Sequence, residues 1–490
     1  MNILKSYTSS TRIGGPAVRK SKQRDIEALP KPYLTWLLAF FAGWKLFLLA
    51  VAYASPGPGY DTSAQILFDQ YDSSPPSTLS RFIESLVLRL TRWDAIYFSS
   101  TSVRGHIYEQ EWAFSWCMSR LTALLSNAFP SSLHPSPIIK HALAGITIAH
   151  FSHLGAVLTL YALVRNLIPS SPSRKRRIAF TAACLHTVSP AGLFLSAPYT
   201  ESPFALLTFL GLHAYALAQH PSSSPTRTSA LTLASGLALA LSTLLRTNGL
   251  LHAALFALDA LSLAHRTLAS RTATLLPHLL SSLLAGLFLA TAFALPQALA
   301  YAEFCLPDAS SSPRPWCTAL PPSVYSFVQK HYWGVGFLSY WTAGNAPLFA
   351  LAAPMLAVLL FTGWAAVFRG RDVSAAVQAP GSGKIAEGQD EERAVFERVL
   401  GRFAVPQVLL AGLAVTSFHV QIVNRICSGC VGWYVLGAVG VVAVGNGDGD
   451  GEVGGVFGKE RSRWVEVGVR AMVAYAVVQG GLYAAFLPPA

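Results

Sequence analysis

The chain has 490 residues, 52% of them hydrophobic and 12% charged, with a formal net charge of +12. Soluble domains carry about 25% charged residues, so an ordinary soluble fold is excluded. The excess Lys and Arg sits in the N-terminal arm and between apolar runs, a pattern of membrane topology and anionic-lipid attraction rather than nucleic-acid binding.

The arm 1–32 is basic and is assigned to the cytoplasm. The first apolar run, about 33–53, is too long for a signal-peptide core and is read as a retained helix. Further runs follow at about 141–166, 178–198, 203–219, 229–245, 249–264, 273–300, 346–368, 402–420, 432–446 and 466–486. They are continuous and Leu/Ala-rich, unlike the alternating strands of an outer-membrane barrel. At ~20 residues per crossing they predict an all-α polytopic bundle of about eleven transmembrane helices over 33–486. The amphipathic stretch near 112–128 is interrupted by Arg120 and is read as interfacial.

With a cytoplasmic N-terminus, the count puts the basic cluster 174–177 on the cytoplasmic side, as the positive-inside rule expects. Segments 369–400 and 447–464 fall there too and read as low-complexity linkers, the acidic Gly/Asp run at 448–452 included. The opposite side receives the large loops 54–140 and 301–345 and the turns near 199–202, 246–248 and 419–431. Nearly all the unusual polar and aromatic motifs lie on that side, so the chemistry is expected to face the lumen.

Arg92-Trp93-Asp94-Ala95-Ile96-Tyr97-Phe98 leads these motifs. A carboxylate near a low-dielectric boundary holds its proton more tightly, and it suits a general base toward a sugar hydroxyl. The bland alternative is an interfacial aromatic belt with an incidental aspartate. Tyr199-Thr200-Glu201-Ser202 lies between prolines, where broken backbone must find partners or line a wet cavity. Glu201 there contacts a polar substrate or simply opposes a helix macrodipole. A charge within hydrocarbon costs at least ~2.5 kcal/mol on insertion scales. Arg246, followed by Thr247 and Asn248, therefore points to an anion such as phosphate, against a snorkelling arginine.

Gln329-Lys330-His331-Tyr332-Trp333 suits sugar stacking and phosphate binding, or headgroup anchoring. His419 and Arg425 end another run and are candidates for a phosphate, although a lone helix-end histidine is commonly structural. Two cysteine pairs, Cys305 with Cys317 and Cys427 with Cys430, do not make a zinc site unaided. Disulfides and free thiols both stand open. His141, His150 and His153 lack the spacing of a metal triad. The sequence has no Gly-rich phosphate loop, His-Glu-x-x-His or Gly-x-Ser-x-Gly.

Taken in order, these motifs resemble the PIG-V family of multi-span mannosyltransferases of the endoplasmic reticulum. The Ser-Ala-Pro-Tyr-Thr-Glu-Ser run at 196–202 and the Tyr-Ser-Phe-Val-Gln run at 325–329, continued by Tyr332-Trp333-Gly334-Val335-Gly336-Phe337, are the most specific. Gly334 departs from the pattern, and 435–480 carries little of it. The resemblance implies a GT-C bundle with a lumenal site. It implies mannose transfer from dolichyl-phosphate mannose to the first mannose of a GPI precursor, in α-1,6 linkage, by one inverting displacement. Asp94 is then the expected base. Trp93, Arg104, Glu201, Arg246, Asn248, Gln329, Lys330, His331, Trp333, His419 and Arg425 are the expected substrate contacts, with Arg246, Lys330, His331 and Arg425 toward the phosphate. No metal or other cofactor is expected, because protein cations can serve the leaving group. The partners implied are the two glycolipids, the membrane and a small membrane accessory subunit. Competing readings are another lipid-linked-sugar transferase, a noncatalytic subunit, and a transporter. The last would favour inverted repeats and midplane polar sites, which the sequence lacks.

Overall fold

The computed structural model describes residues 31–57, 59–71, 77–270, 273–306, 314–378, 389–445 and 459–487. The arm as far as residue 30, the middle of 369–400 and most of 447–464 lie outside the described residues.

The described residues form helices and turns, with no strand among them. In chain order the helices are α1 (Lys31–Ala54), α2 (Ser63–Asp69), α3 (Thr78–Leu90), α4 (Asp94–Arg104), α5 (Trp116–Ser126), α6 (Pro137–Leu167), α7 (Pro172–Thr187), α8 (Glu201–Ala218) and α9 (Pro225–Leu245). Then come α10 (Ala253–Ser270), α11 (Leu276–Phe304), α12 (Val324–His331), α13 (Ala346–Phe368), α14 (Gly370–Val377), α15 (Gln389–Thr416), α16 (Val423–Ile426), α17 (Val431–Gly445) and α18 (Lys459–Ala484).

A Ser-Pro pair opens α6, α7 and α9. Proline at the first helical position has no amide to leave unsatisfied. The Ser171 and Ser224 hydroxyls accept from the amides of Arg174 and Arg227, capping α7 and α9. Helix packing relies on small residues and buried amides, as in other membrane bundles. At Gly236 of α9 an added Cβ would lie 2.5 Å from the Ala285 Cβ of α11, so only glycine lets the two backbones approach this closely. Gln407 of α15 donates to the Leu359 carbonyl and the Thr362 hydroxyl of α13, both at 2.8 Å. Its carbonyl accepts from the Trp433 amide of α17 at 3.1 Å.

Eight helices among the described residues are long and apolar enough to cross a membrane, or nine if the bent pair Val420–Gly429 and Val431–Ala443 forms one span. The expected count of about eleven is thereby corrected. The expected run 178–198 is broken, because α7 stops at Thr187 and an irregular, buried segment follows. With 16 and 15 residues, α7 and α17 reach only about 24 and 22 Å, short of a ~30 Å hydrocarbon core. They lie inside the bundle, where neighbouring helices cover them. The stretch expected at the interface forms α5, whose 11 residues are too few to span. Segment 369–400 is not wholly a linker, since α14 and the start of α15 occupy its ends.

The 31 residues of α6 extend about 46 Å. Near its start, His141 meets the Ser102 and Ser126 hydroxyls, each at 3.0 Å. Beyond its end, the Ser170 hydroxyl and the Arg174 guanidinium donate to the Val377 and Ala376 carbonyls of α14. The segment holding the basic cluster and α14 thus share one end of the bundle, and the motif-bearing turns gather at the other.

Candidate active site

Asp94 opens α4 directly after Trp93, whose φ is +53°. That left-handed backbone costs a non-glycine residue about 1–3 kcal/mol, so the surrounding contacts must hold it. They do so through the Arg92 backbone. The Tyr199 hydroxyl donates to the Arg92 carbonyl at 3.2 Å, and the Tyr483 hydroxyl accepts from the Arg92 amide at 3.3 Å. Tyr483 also donates to the Leu90 carbonyl at 2.8 Å. The Trp93 ring packs on Phe486.

From this turn Asp94 Oδ2 accepts from Arg425 Nη1 at 2.9 Å, across 331 residues of sequence. Arg425 Nε lies 3.0 Å from Glu201 Oε1, close enough to pair but outside hydrogen-bond geometry. The same Glu201 oxygen accepts from Arg246 Nη1 at 2.7 Å. Arg246 also donates to the Thr200 hydroxyl at 3.0 Å and reaches Asn248 Oδ1 at 3.4 Å. Two carboxylates and two guanidiniums therefore alternate in a ladder, Asp94–Arg425–Glu201–Arg246. The Glu201 side chain is 1% exposed, and its Oε2 has no hydrogen-bond partner among the described residues. The Asp94 side chain is 34% exposed, the most open member. The Arg425 guanidinium also stands over the Phe194 and Tyr199 rings, at 5.0 and 5.5 Å.

The ladder borders a cavity of about 610 Å³, within the usual range for small-molecule sites. Asp94, Arg246, Asn248, Thr200, His419 and Arg425 line it on the polar side. Trp93, Trp112, Phe114, Trp116, Tyr325 and Trp333 supply rings, and Gln297, Gln329 and Gln421 supply amides. Gln297 Oε1 accepts from the Ser323 hydroxyl and the Tyr325 amide, so α11 fixes the start of α12 beside the cavity. His419 follows α15, with its ring 4.9 Å from Tyr340. Burial lowers its proton affinity, more than nearby Asp94 raises it, so the ring is neutral at pH 7.

The family model for mannosyltransferase (PIG-V) matches residues 37–490. The chain belongs to the PIG-V family of mannosyltransferases. It is 38% identical over 463 residues to the GPI mannosyltransferase 2 of Gibberella zeae, covering 94% of this chain and 98% of that one. It is 39% identical over 487 residues to the GPI mannosyltransferase 2 of Chaetomium globosum, covering 94% and 96%. A solved archaeal oligosaccharyltransferase from Archaeoglobus fulgidus overlays with a TM-score of 0.46 and 11% identity, over 93% of this chain and 56% of that one.

Not every expected contact of this PIG-V mannosyltransferase reaches the cavity. Trp93, Asp94, Arg246, Asn248, Gln329, Trp333, His419 and Arg425 line it, and Glu201 stands behind the two arginines. Lys330 and His331 are exposed and absent from the lining. They follow Gln329 on α12, and successive helical residues point about 100° apart. The His331 ring stacks on Phe327 instead. Arg104 is also absent from the lining. It pairs with Glu111, donating to Oε2 at 3.1 Å and making a still shorter contact to Oε1. Glu111 Oε2 accepts further from the Ile107 and Tyr108 amides, at 2.8 and 3.1 Å. Arg104 therefore ties the end of α4 to the turn Glu109–Ala113.

The sequence reading missed Gln297, Gln421, Tyr325 and Thr200 as lining residues. A glutamine beside Pro296, near the end of an apolar run, was a usable signal, since a polar group there needs a partner. Cys305 and Cys317 are joined by a disulfide, with Cα atoms 5.6 Å apart, whereas Cys427 and Cys430 are free.

Proposed function

We propose that this mannosyltransferase moves mannose from dolichyl-phosphate mannose to the first mannose of a GPI precursor, forming an α-1,6 link. The work is done at the lumenal end of a GT-C bundle in the endoplasmic reticulum membrane. The observation that carries the reading is the charge ladder on the wall of one large cavity, at one end of an apolar bundle. The names of the relatives support the acceptor class, and the positive-inside pattern supports the lumenal side.

Asp94 is the base. Its Oδ2 is held by Arg425, while Oδ1 accepts no hydrogen bond from the described residues. The acceptor hydroxyl gives its proton to this carboxylate as its oxygen bonds to C1 of the donor mannose. The C1–O bond to phosphate breaks on the opposite face, and its electron pair stays with the dolichyl phosphate. One displacement converts a β-linked donor to an α-linked product. Arg246 and Arg425 stabilise the charge that develops on the phosphate. The steps are coupled: once Asp94 is protonated, Arg425 loses one counter-charge just as the phosphate gains one. His419, being neutral, offers a hydrogen bond rather than a charge. The two guanidiniums supply positive charge where a metal would otherwise serve. Trp93, Trp333, Gln329 and Asn248 hold the sugars by ring contact and amide hydrogen bonds.

The decisive assay uses microsomes from cells lacking the endogenous enzyme. Wild-type protein should convert the one-mannose GPI precursor to the two-mannose form, and a stably expressed Asp94→Asn should not. Normal conversion by Asp94→Asn removes the base assignment. Failure of the wild type removes the acceptor assignment.

A further inference from the structure

Lys45 lies in the middle of α1, the first membrane-spanning helix, yet it is 4% exposed and turned into the bundle. An ionisable side chain inside a bundle of this kind is costly and, where found, marks a functional arrangement. Among the described residues, no carboxylate pairs with Lys45. Its Nζ donates to the Leu195 carbonyl and to the Ser196 hydroxyl, both at 2.8 Å. The Phe41 ring lies 5.6 Å away.

The segment that Lys45 grips is irregular and wholly buried. Residues 189–200 contain one short 3₁₀ turn, Gly192–Leu195, between α7 and α8. Backbone of this kind inside a membrane bundle must find partners from outside itself. The Leu195 carbonyl has two, Lys45 Nζ and the Ser202 hydroxyl at 3.0 Å. Every residue that shapes the inner side of the charge ladder hangs from the same few positions. Phe194 and Tyr199 pack against Arg425. Thr200 accepts from Arg246, and Glu201 holds both arginines. Tyr199 also pins the backbone next to Trp93-Asp94.

We propose that Lys45 is a positioning residue for mannosyl transfer: its amino group clamps residues 195–196 and thereby sets the two arginines that receive the donor phosphate. This rests on reading the ladder as the transfer site. Lys45 donates to no lining residue among those described and acts through the turn.

The test measures KM for each substrate separately, using purified full-length protein in lipid nanodiscs, normalised to folded enzyme. Lys45→Met removes both donated hydrogen bonds. Loss of two buried hydrogen bonds should raise KM for dolichyl-phosphate mannose about tenfold, with KM for the GPI precursor unchanged. Ser196→Ala removes one acceptor and keeps the buried lysine, and should raise the same KM about threefold. A merely structural lysine would lower the folded amount and leave both KM values alone. Should Lys45→Met not fold, Ser196→Ala decides by itself. Unmoved donor KM in the variants overturns the proposal, as does an equal rise in both KM values. A wild-type enzyme that fails to transfer overturns the underlying reading instead.

Discussion

Two clusters of arginine and glutamate stand within a short distance along the same end of the bundle, and they differ in what surrounds them. In the inner one, Glu201 holds Arg246 and Arg425, and Arg425 continues to Asp94. In the outer one, Glu111 holds Arg104 and two backbone amides, while Glu109 accepts from Arg314 at 2.7 Å, Trp316 at 3.0 Å and Tyr332 at 3.1 Å. The central carboxylates are buried alike, with side chains 1% and 3% exposed. The inner cluster borders the cavity and ends in a half-open aspartate. The outer cluster has no member in the lining. It joins the turn Glu109–Ala113, the disulfide-bearing loop and the residue after α12, and so supports Trp112 and Trp333 from behind. Burial of an ion pair is therefore no mark of a site. An accessible carboxylate whose counter-ion is shared is the distinguishing feature.

The largest expected effect breaks the inner cluster at its open end. Asp94→Asn keeps the shape and removes the base, and should lower mannose transfer about 100-fold or more, the usual range for a general base. The protein should still reach wild-type levels in the membrane. Next comes Glu201→Gln, which leaves two guanidiniums without their shared counter-ion. Breaking a buried pair in this way costs about 3 kcal/mol or more. A fall in the midpoint of thermal unfolding in detergent should accompany a raised donor KM.

The outer cluster sharpens the comparison by failing to touch catalysis. Glu111→Gln should cost about 1–3 kcal/mol of stability, from hydrogen bonds to a buried charged group, and leave both KM values unchanged. Its neighbour His106 adds a pH dependence. Burial lowers the His106 pKa to about 4, from an ordinary value of 6.5. Between those values the unfolded chain binds a proton that the folded chain does not, so stability falls as pH drops from about 6.5 toward 4. Burial raises the affinity of Glu111, but Arg104 and the two amides more than offset this and hold it below its ordinary value. That depressed pKa gives stability above pH about 4.5 that is lost on further acidification. His106→Phe should flatten the upper part of the slope, measured as unfolding midpoint between pH 7 and 4.5. An unchanged slope would remove His106 from the account.

The long apolar helices were legible from continuous hydrophobic runs, although α6, α7 and α9 begin at Ser-Pro pairs a few residues ahead of the runs expected from 141, 178 and 229. The span count was not. The apolar second half of α7 and all but the end of α17 are enclosed by other helices, and hydropathy alone does not separate that from contact with lipid. Glu201, Arg246 and Arg425 stood out as charges at the ends of apolar runs, and Asp94 as a carboxylate among aromatic residues in the large loop 54–140. Their convergence did not, because Asp94 and Arg425 meet across 331 residues. Lys45 was overlooked although a lysine within the first span is a signal that needs no structure. Arg104 shows the reverse error: a conspicuous cation was assigned to substrate when an acid seven residues on, across a turn, already claimed it.

The smallest expected effect concerns Lys330 and His331, which the motif placed with the phosphate contacts and the fold places outside the cavity lining. Gln329 lines the cavity and Lys330 does not, so one helical step separates a contact from a solvated charge. A double substitution Lys330→Ala and His331→Ala removes the exposed ammonium and imidazole that follow Gln329. Screened, exposed charges contribute about 1 kcal/mol or less. Donor KM should rise by less than about threefold at physiological salt, and the difference should vanish as salt is raised. Gln329→Leu on the same helix gives the contrast, since it removes an amide from the cavity wall, and its effect should persist at high salt. A salt-insensitive loss of about tenfold or more in the double variant would bring α12's outer face into the site. It would show that this helix turns on binding substrate, and that the division between inner and outer clusters does not extend to α12.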